Sequence, residues 1–301
     1  MRIFIPGATG YVGSAVVAEL TNAGHDVVGL ARSDSSAAAL NALGIEAHRG
    51  DISALDSLRS GAAAADGVIY AANQHISETT DSAARAQVER NAVEAIGREL
   101  DGTGKPFVVT SGVIGRTPGR LLTEDDYADA SPLTALRLPV EASVLALADR
   151  GVRSSSVALA PTVHGVGDAR GFVSMLIAIA IDRGVSAYVG DGANRWPSVH
   201  RLDAARLFRL AIETAPAGTR LHAVAEEGVP FRDLAQAIGS HLSLPVASID
   251  PEHAPNHFSF LAPLVALDSP VSNALTRKRF GWEPTQPTLI ADIADGHYFT
   301  V

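Results

Sequence analysis

Through the first half of the chain, short runs of consecutive apolar residues alternate with longer stretches in which apolar residues recur every three or four positions. The runs at 3–6, 27–31, 68–71 and 107–110, with more polar segments at 46–49 and 155–159, predict the strands of a sheet covered on both faces. The stretches between them, at 11–23, 35–43, 54–64, 81–100 and 133–149, predict helices with one apolar stripe. Strand, helix, strand at this spacing requires right-handed crossovers, so the expected fold class is α/β, a doubly wound parallel sheet covered on both faces. From Gly165 onward the regularity fails, with Pro and Gly interrupting helical pieces at 175–182, 204–213, 231–241 and 289–296. A smaller, irregular region is expected there.

A chain of 301 residues suits two domains, or one core with a large appendage. Its 47% apolar and 19% charged residues exclude a disordered, collagen-like or coiled-coil chain. A net charge of −9 argues against nucleic acid and anionic lipid as partners. The longest strongly apolar run, 175–181, is far short of the roughly 20 residues that span a bilayer. Because Arg2-Ile3-Phe4-Ile5 reads as a strand and not as a leader, the mature chain is expected to begin at residue 1. The lack of cysteine excludes disulfides, thiolate nucleophiles and Cys-ligated zinc, and fits a cytoplasmic location. His253 and His257 have the spacing of a helical metal pair, but Pro255 between them is expected to spoil the helix and no third ligand is evident, so no metal is expected.

The first predicted strand runs into Gly7-Ala8-Thr9-Gly10-Tyr11-Val12-Gly13 and then a helix. Glycines at that junction let backbone approach a pyrophosphate, while the helix start offers N–H donors and a positive dipole end, so a dinucleotide is expected on Gly7, Thr9, Gly10, Tyr11, Val12 and Gly13. At the end of the second strand, where an NAD site usually carries an acid, stand Arg32 and Ser33. A guanidinium and a hydroxyl suit a 2′-phosphate, which favours NADP(H) over NAD(H) unless Arg32 is merely a solvated surface arginine. Asp51 and Ile52 follow the third strand, with Asp51 either meeting the adenine amino group or capping the next helix. Ala71 and Ala72, at the end of the fourth strand, and Pro161, after the sixth, complete the expected cofactor contacts.

The loop 7–13, Asp51, the segment Val108-Val109-Thr110-Ser111-Gly112, and Gly190-Asp191-Gly192 followed by Val199-His200-Arg201-Leu202-Asp203 together resemble the extended short-chain dehydrogenase/reductases, the NAD-dependent epimerase/dehydratase family, over nearly the whole length. The resemblance implies a Rossmann core at 1–164 and a substrate-capping region at 165–301, with part of 195–225 returning to the core. It also implies that Asn91 helps to hold an active-site water. Such proteins usually work through a Tyr-x-x-x-Lys pair, and here neither Lys105 nor Lys278 lies four residues after any of the five tyrosines. By position, with Glu141 matching a frequent family glutamate, the pair becomes Leu133 and Arg137, and Arg137 is expected to take over the ribose contact. This matches an atypical subgroup that keeps the cofactor and lacks the usual acid and base.

The catalytic candidates are Ser111, Tyr127 and His164. Ser111 sits where the family's substrate-oxygen donor lies, unless the strand end is shifted and Gly112 falls there. Tyr127, in an acidic loop, is either a substitute acid or a surface tyrosine, and His164 is either a proton source near the nicotinamide or a hydrogen-bonded loop histidine. Asn73-Gln74-His75 forms a second polar cluster near the same crevice. Arg195-Trp196 is either a platform for a planar or phosphorylated substrate or, for Trp196, core packing. The stripe Val88, Ala92, Ala95, Ile96 suits either a homodimer through the fourth and fifth helices or the chain's own core. The function expected is an NADP(H)-dependent oxidoreductase reducing C=O, C=C or C=N. A non-catalytic NADP(H) sensor and a nucleotide-sugar epimerase or dehydratase are the alternatives.

Overall fold

The computed structural model describes residues 1–72, 81–126 and 138–299, so Asn73-Gln74-His75, Tyr127, Leu133 and Arg137 lie outside the described residues. The first half comprises β1 (Arg2–Ile5), α1 (Tyr11–Asn22), β2 (Asp26–Ala31), α2 (Asp34–Ala42), β3 (Glu46–Arg49), α3 (Leu55–Ala63), β4 (Gly67–Tyr70), α4 (Ser82–Glu99), β5 (Pro106–Gly112), α5 (Leu138–Leu145) and β6 (Arg153–Leu159). The second half holds β7 (Thr162–His164), α6 (Phe172–Arg183), β8 (Ser186–Val189), β9 (Arg195–His200), α7 (Arg201–Thr214), β10 (Thr219–Ala223), β11 (Glu226–Pro230), α8 (Phe231–Leu242) and β12 (Val246–Ile249). After these come α9 (Ala254–Phe258), α10 (Ala262–Val265), α11 (Ala274–Phe280) and α12 (Leu289–Ala294).

Among the described residues, seven strands form one parallel sheet in the order β10-β6-β5-β4-β1-β2-β3. This is a Rossmann-type doubly wound sheet. Successive residues of β1 serve its two faces: Ile3 and Ile5 join Val16, Leu20, Val108, Val157 and Phe208 on the side of α1 and α7, whereas Phe4 joins Leu58, Ile96, Phe107 and Val144 on the side of α3, α4 and α5. A third core, of Val173, Leu176, Trp196, Phe231, Phe258, Leu289 and Ile293, holds the C-terminal elements together. Around it lie a three-stranded sheet, β11-β9-β7, and the parallel pair β12-β8. The strand order turns back between β1 and β4, and a crevice outside the strands' carboxyl ends is where such sheets bind ligands.

Several local expectations are corrected. The fifth helix was expected to run to residue 149, but its described part is α helical only over Leu138–Leu145 and then tightens to a 3-10 turn, Ala146–Arg150, closed by Gly151 in the left-handed region. The sixth strand begins earlier, at Arg153, whose guanidinium donates to the carbonyls of Ile212 and Ala215 at the end of α7. Pro255 does not break its helix, because it lies in the first turn of α9, where a missing N–H costs nothing. Ala92, Ala95 and Ile96 are buried within the chain's own core.

Trp282 is wholly buried among the residues on the α7 side, and its indole N–H donates to the Asp203 carbonyl at 3.0 Å. The Asp203 carboxylate, also buried, accepts from the amides of Thr285 and Gln286 at 3.0 Å each, so residues 282–286 are pinned to α7. Trp282→Ala is expected to lower the unfolding free energy by about 3 to 5 kcal/mol, read from the urea midpoint at constant slope, with Trp282→Phe losing less.

Candidate functional site

At the switch point β1 runs into Pro6 and Gly7, and the Ala71 amide donates to the Pro6 carbonyl at 2.9 Å. Gly7 has a φ of +94°, and a Cβ there would stand 2.5 Å from the backbone of Ala71 and Ala72. Gly13 is equally constrained, since its Cβ would fall 2.0 Å from the Gly7 carbonyl oxygen. Gly10 is different: its backbone suits any residue, and a Cβ would meet only the Gly7 oxygen, at 3.2 Å. Gly10 is also the N-cap of α1 and offers no side-chain cap, which leaves first-turn amides without a side-chain acceptor beside the groove.

That groove, about 240 Å³, is lined by Gly7, Thr9, Gly10, Leu30, Arg32, Ser36, Gly50, Asp51, Ile52, Ala71 and Ala72. Asp51 accepts from the amide and hydroxyl of Ser53 at 2.9 and 2.6 Å. These bonds hold its carboxyl below the usual range, with Arg32 adding to the effect. Asp51 does not cap α3 through its side chain: the N-cap there is Ala54, without a side-chain bond. Ser33 is spent on α2, where its hydroxyl accepts from the Ser36 amide at 3.1 Å while the Ser36 hydroxyl accepts from the Ser33 amide at 3.0 Å. Ser36 itself lines the groove, and its hydroxyl donates to the Ser33 carbonyl at 2.9 Å. Tyr11 turns its phenol to the Gly165 carbonyl, donating at 3.0 Å, with the Arg201 guanidinium 4.5 Å above its ring. Val12 packs on the core, and Pro161 is half-buried between β6 and β7, outside the groove lining.

At the end of β5 adjacent residues face opposite sides. Ser111 is buried and its Oγ accepts from Arg116 Nη2 at 2.9 Å. Arg116, itself buried, also donates from Nε to the Gly112 carbonyl at 2.7 Å and meets Glu141 Oε2 at 2.8 Å. Glu141 takes the Ser156 hydroxyl at 2.5 Å and lies 3.4 Å from Arg220. Burial opposes the charge on Glu141, but Arg116 first, then Arg220 and Ser156, hold its carboxyl below the usual range. Thr110, on the other face, has a buried hydroxyl with no hydrogen-bond partner among the described residues. Of the two neighbouring hydroxyls, that of Ser111 is engaged by Arg116 and that of Thr110 has no partner among the described residues.

Other expected site residues are drawn elsewhere. His164 is buried on β7 with Nδ1 2.8 Å from Asp292, and its ring meets that of His200 edge-on at 5.4 Å. Asn91 is exposed on α4, accepting from Gln87, and is far from the water-holding role the resemblance implied. Trp196 is fully buried, donating to the Leu264 carbonyl, and Arg195 is taken up by Asp268 through two bonds of 2.9 and 2.8 Å. Neither side chain is free to form a platform for a substrate.

Gly10→Val is expected to abolish binding of NADPH and NADH by fluorescence titration while the thermal melt stays cooperative, because the added methyl groups enter the groove and not the core. Gly13→Ala is expected to act in the opposite sense, lowering the melting temperature through the backbone overlap. Unchanged affinity in a folded Gly10→Val chain would move the phosphate site elsewhere.

Comparison with known proteins gives the family and the fold. The sequence matches the NAD dependent epimerase/dehydratase family over residues 3–224. It is 45% identical over 300 residues to an uncharacterized protein of Schizosaccharomyces pombe, covering 99% of this chain and 100% of that one. An uncharacterized protein of Saccharomyces cerevisiae is 43% identical over 295 residues, covering 97% and 98%. Among solved structures, a dTDP-glucose 4,6-dehydratase from Streptomyces venezuelae with NAD bound superposes with a TM-score of 0.79 at 18% identity, covering 99% of this chain and 96% of that one. A UDP-glucose 4-epimerase from Thermotoga maritima with UDP-glucose gives 0.79 at 18%, covering 99% and 98%. At such identities the structures speak for the fold alone; the match across residues 3–224 goes further, and the chain belongs to the NAD dependent epimerase/dehydratase family, whose enzymes work through a nicotinamide dinucleotide.

Proposed function

We propose that the chain is an NADP(H)-dependent oxidoreductase of the atypical extended short-chain type, acting in the cytoplasm on a small organic molecule. The observation that carries this reading is Arg32, which lines the adenosine end of the groove beside Ser36 and Asp51, where an acid would select NAD. The glycine turn fits the pyrophosphate, Asp51 the adenine amino group, and the Arg32 guanidinium with the Ser36 hydroxyl a 2′-phosphate. When bound, the cofactor supplies or accepts the hydride. Thr110 donates its open hydroxyl to the substrate oxygen or nitrogen and polarises the bond to be reduced. Ser111, held by Arg116, steadies the strand end that presents it. Arg137 takes the ribose contact that a lysine makes in relatives.

The absence of a Tyr-x-x-x-Lys pair shapes the chemistry. His164 is engaged by Asp292, which leaves Tyr127 and water as proton sources, and favours a C=C or C=N bond whose protonation follows hydride arrival. The same absence supports a second reading, a protein that senses NADP(H) without turning it over. Epimerase or dehydratase chemistry on a nucleotide sugar is disfavoured because it leans on the missing tyrosine base.

Two measurements test the proposal. Wild type is expected to bind NADPH more tightly than NADH, and Arg32→Asp to reverse the order; equal affinities in the wild type would refute the assignment. Thr110→Val, which keeps the shape and removes the hydroxyl, is expected to cost roughly 100-fold in turnover with NADPH affinity unchanged. If no carbonyl, enone or imine substrate consumes NADPH while the cofactor binds tightly, the sensor reading prevails.

A further inference from the structure

The acid missing at position 32 has a neighbour two residues on. Asp34 opens α2, and its side chain is fully exposed. A bare carboxylate in the helix turn that follows Arg32 works against any 2′-phosphate placed there. It is not bare. Arg49, the last residue of β3, is aligned in the sheet with Ala31 of β2, and reaches across the strand end. Its Nη2 lies 2.6 Å from Asp34 Oδ1 and its Nη1 donates to the Ser33 carbonyl at 2.7 Å. The side chain of Arg49 remains 53% exposed. Its guanidinium is thus fixed against the Ser33 carbonyl and the start of α2, one residue after the arginine that lines the groove.

We propose that Arg49 is a second determinant of cofactor choice, one that neutralises Asp34 and brings a second guanidinium to the 2′-phosphate corner. The inference rests on the NADP(H) reading above and assigns its electrostatics to a pair of arginines on neighbouring strands. Gly50 and Asp51, the two residues after Arg49, line the groove, so the strand that carries this cation also frames the adenosine end. The Arg49–Asp34 pair is exposed, and such pairs add little to stability, so the chain is expected to fold without it. What it alters is the charge balance at the groove's rim. With Arg49 present, Arg32 and Arg49 stand against Asp34 and Asp51; without it, Arg32 faces both carboxylates alone.

The test uses full-length protein and fragments that isolate the corner: dissociation constants for 2′,5′-ADP and 5′-AMP, and for NADPH and NADH, by calorimetry. Arg49→Ala is expected to weaken 2′,5′-ADP and NADPH by about ten-fold, the size of one charge-assisted hydrogen bond, with 5′-AMP and NADH nearly unchanged. Adding Asp34→Asn to Arg49→Ala is expected to recover part of the loss, and Arg49→Lys to retain most of the preference. The salt dependence of NADPH binding is expected to be shallower in Arg49→Ala than in wild type. If the wild type does not distinguish 2′,5′-ADP from 5′-AMP, this proposal and the NADP(H) reading both fall. If the wild type does distinguish them and Arg32→Asp removes the distinction, while Arg49→Ala leaves it intact or weakens all four ligands alike, the cofactor reading stands and the role of Arg49 is overturned.

Discussion

The close crossing of the β1–α1 turn over the end of β4 is the constraint on which the site depends. Backbone meets backbone there: Gly7 lies against Ala71 and Ala72, and Gly13 against Gly7, at distances that a single Cβ would violate. Because the turn is this tight, α1 starts immediately above the sheet, its first amides beside the groove, and β2 and β3 supply the far wall with Arg32 and Asp51. Gly10, which lines the groove, is not held to glycine by packing in this way.

A second constraint operates on the opposite side of β5. Arg116 and Glu141 are buried ionised groups, and burial of this kind is tolerated only when hydrogen bonds complete it. Here they do, through the Gly112 carbonyl, the Ser111 and Ser156 hydroxyls and Arg220. The network consumes Ser111 as an acceptor and joins β5, β6, β10 and α5 on one face of the sheet. Thr110, one residue away, faces the other side and is left out of it. The alternation of a strand decides which of two neighbouring hydroxyls is structural and which is open.

The parallel core was legible where its strands are buried on both faces and read as unbroken apolar runs, as at Ile3-Phe4-Ile5 and Phe107-Val108-Val109. The small sheets were not, since β9 reads Arg-Trp-Pro-Ser-Val-His and β7 has three residues, too short for any period to show. The groove was legible at its glycines, at Arg32 and at Asp51, because there the backbone and charge requirements fall on consecutive residues. The surroundings of Ser33 and Ser111 were not legible, for a common reason. Each carries the right functional group at the right place in the chain, but its hydroxyl is bound by a partner, Ser36 in one case and Arg116 in the other, that only the folded geometry brings within reach.

The same holds for His164, and its partners show how the phosphate turn is tied to the C-terminal elements. Asp292 on α12 lies between His164 and His297, which hold its carboxyl below the usual range although burial opposes them. A few residues on, Tyr298 accepts from the Gly165 amide at 3.2 Å and donates to Asp168 at 3.3 Å, and Gly165 in turn accepts the phenol of Tyr11. Arg201 closes the circuit by donating to the Val166 carbonyl and to Ser14 of α1 at 2.8 Å each. The residue that follows Gly10 is thus joined through the loop after β7 to residues nearly three hundred positions away. Any shift of the C-terminal elements relative to the sheet must break these bonds or move α1 with them, so the wall of the crevice and the turn at its floor hold their positions together.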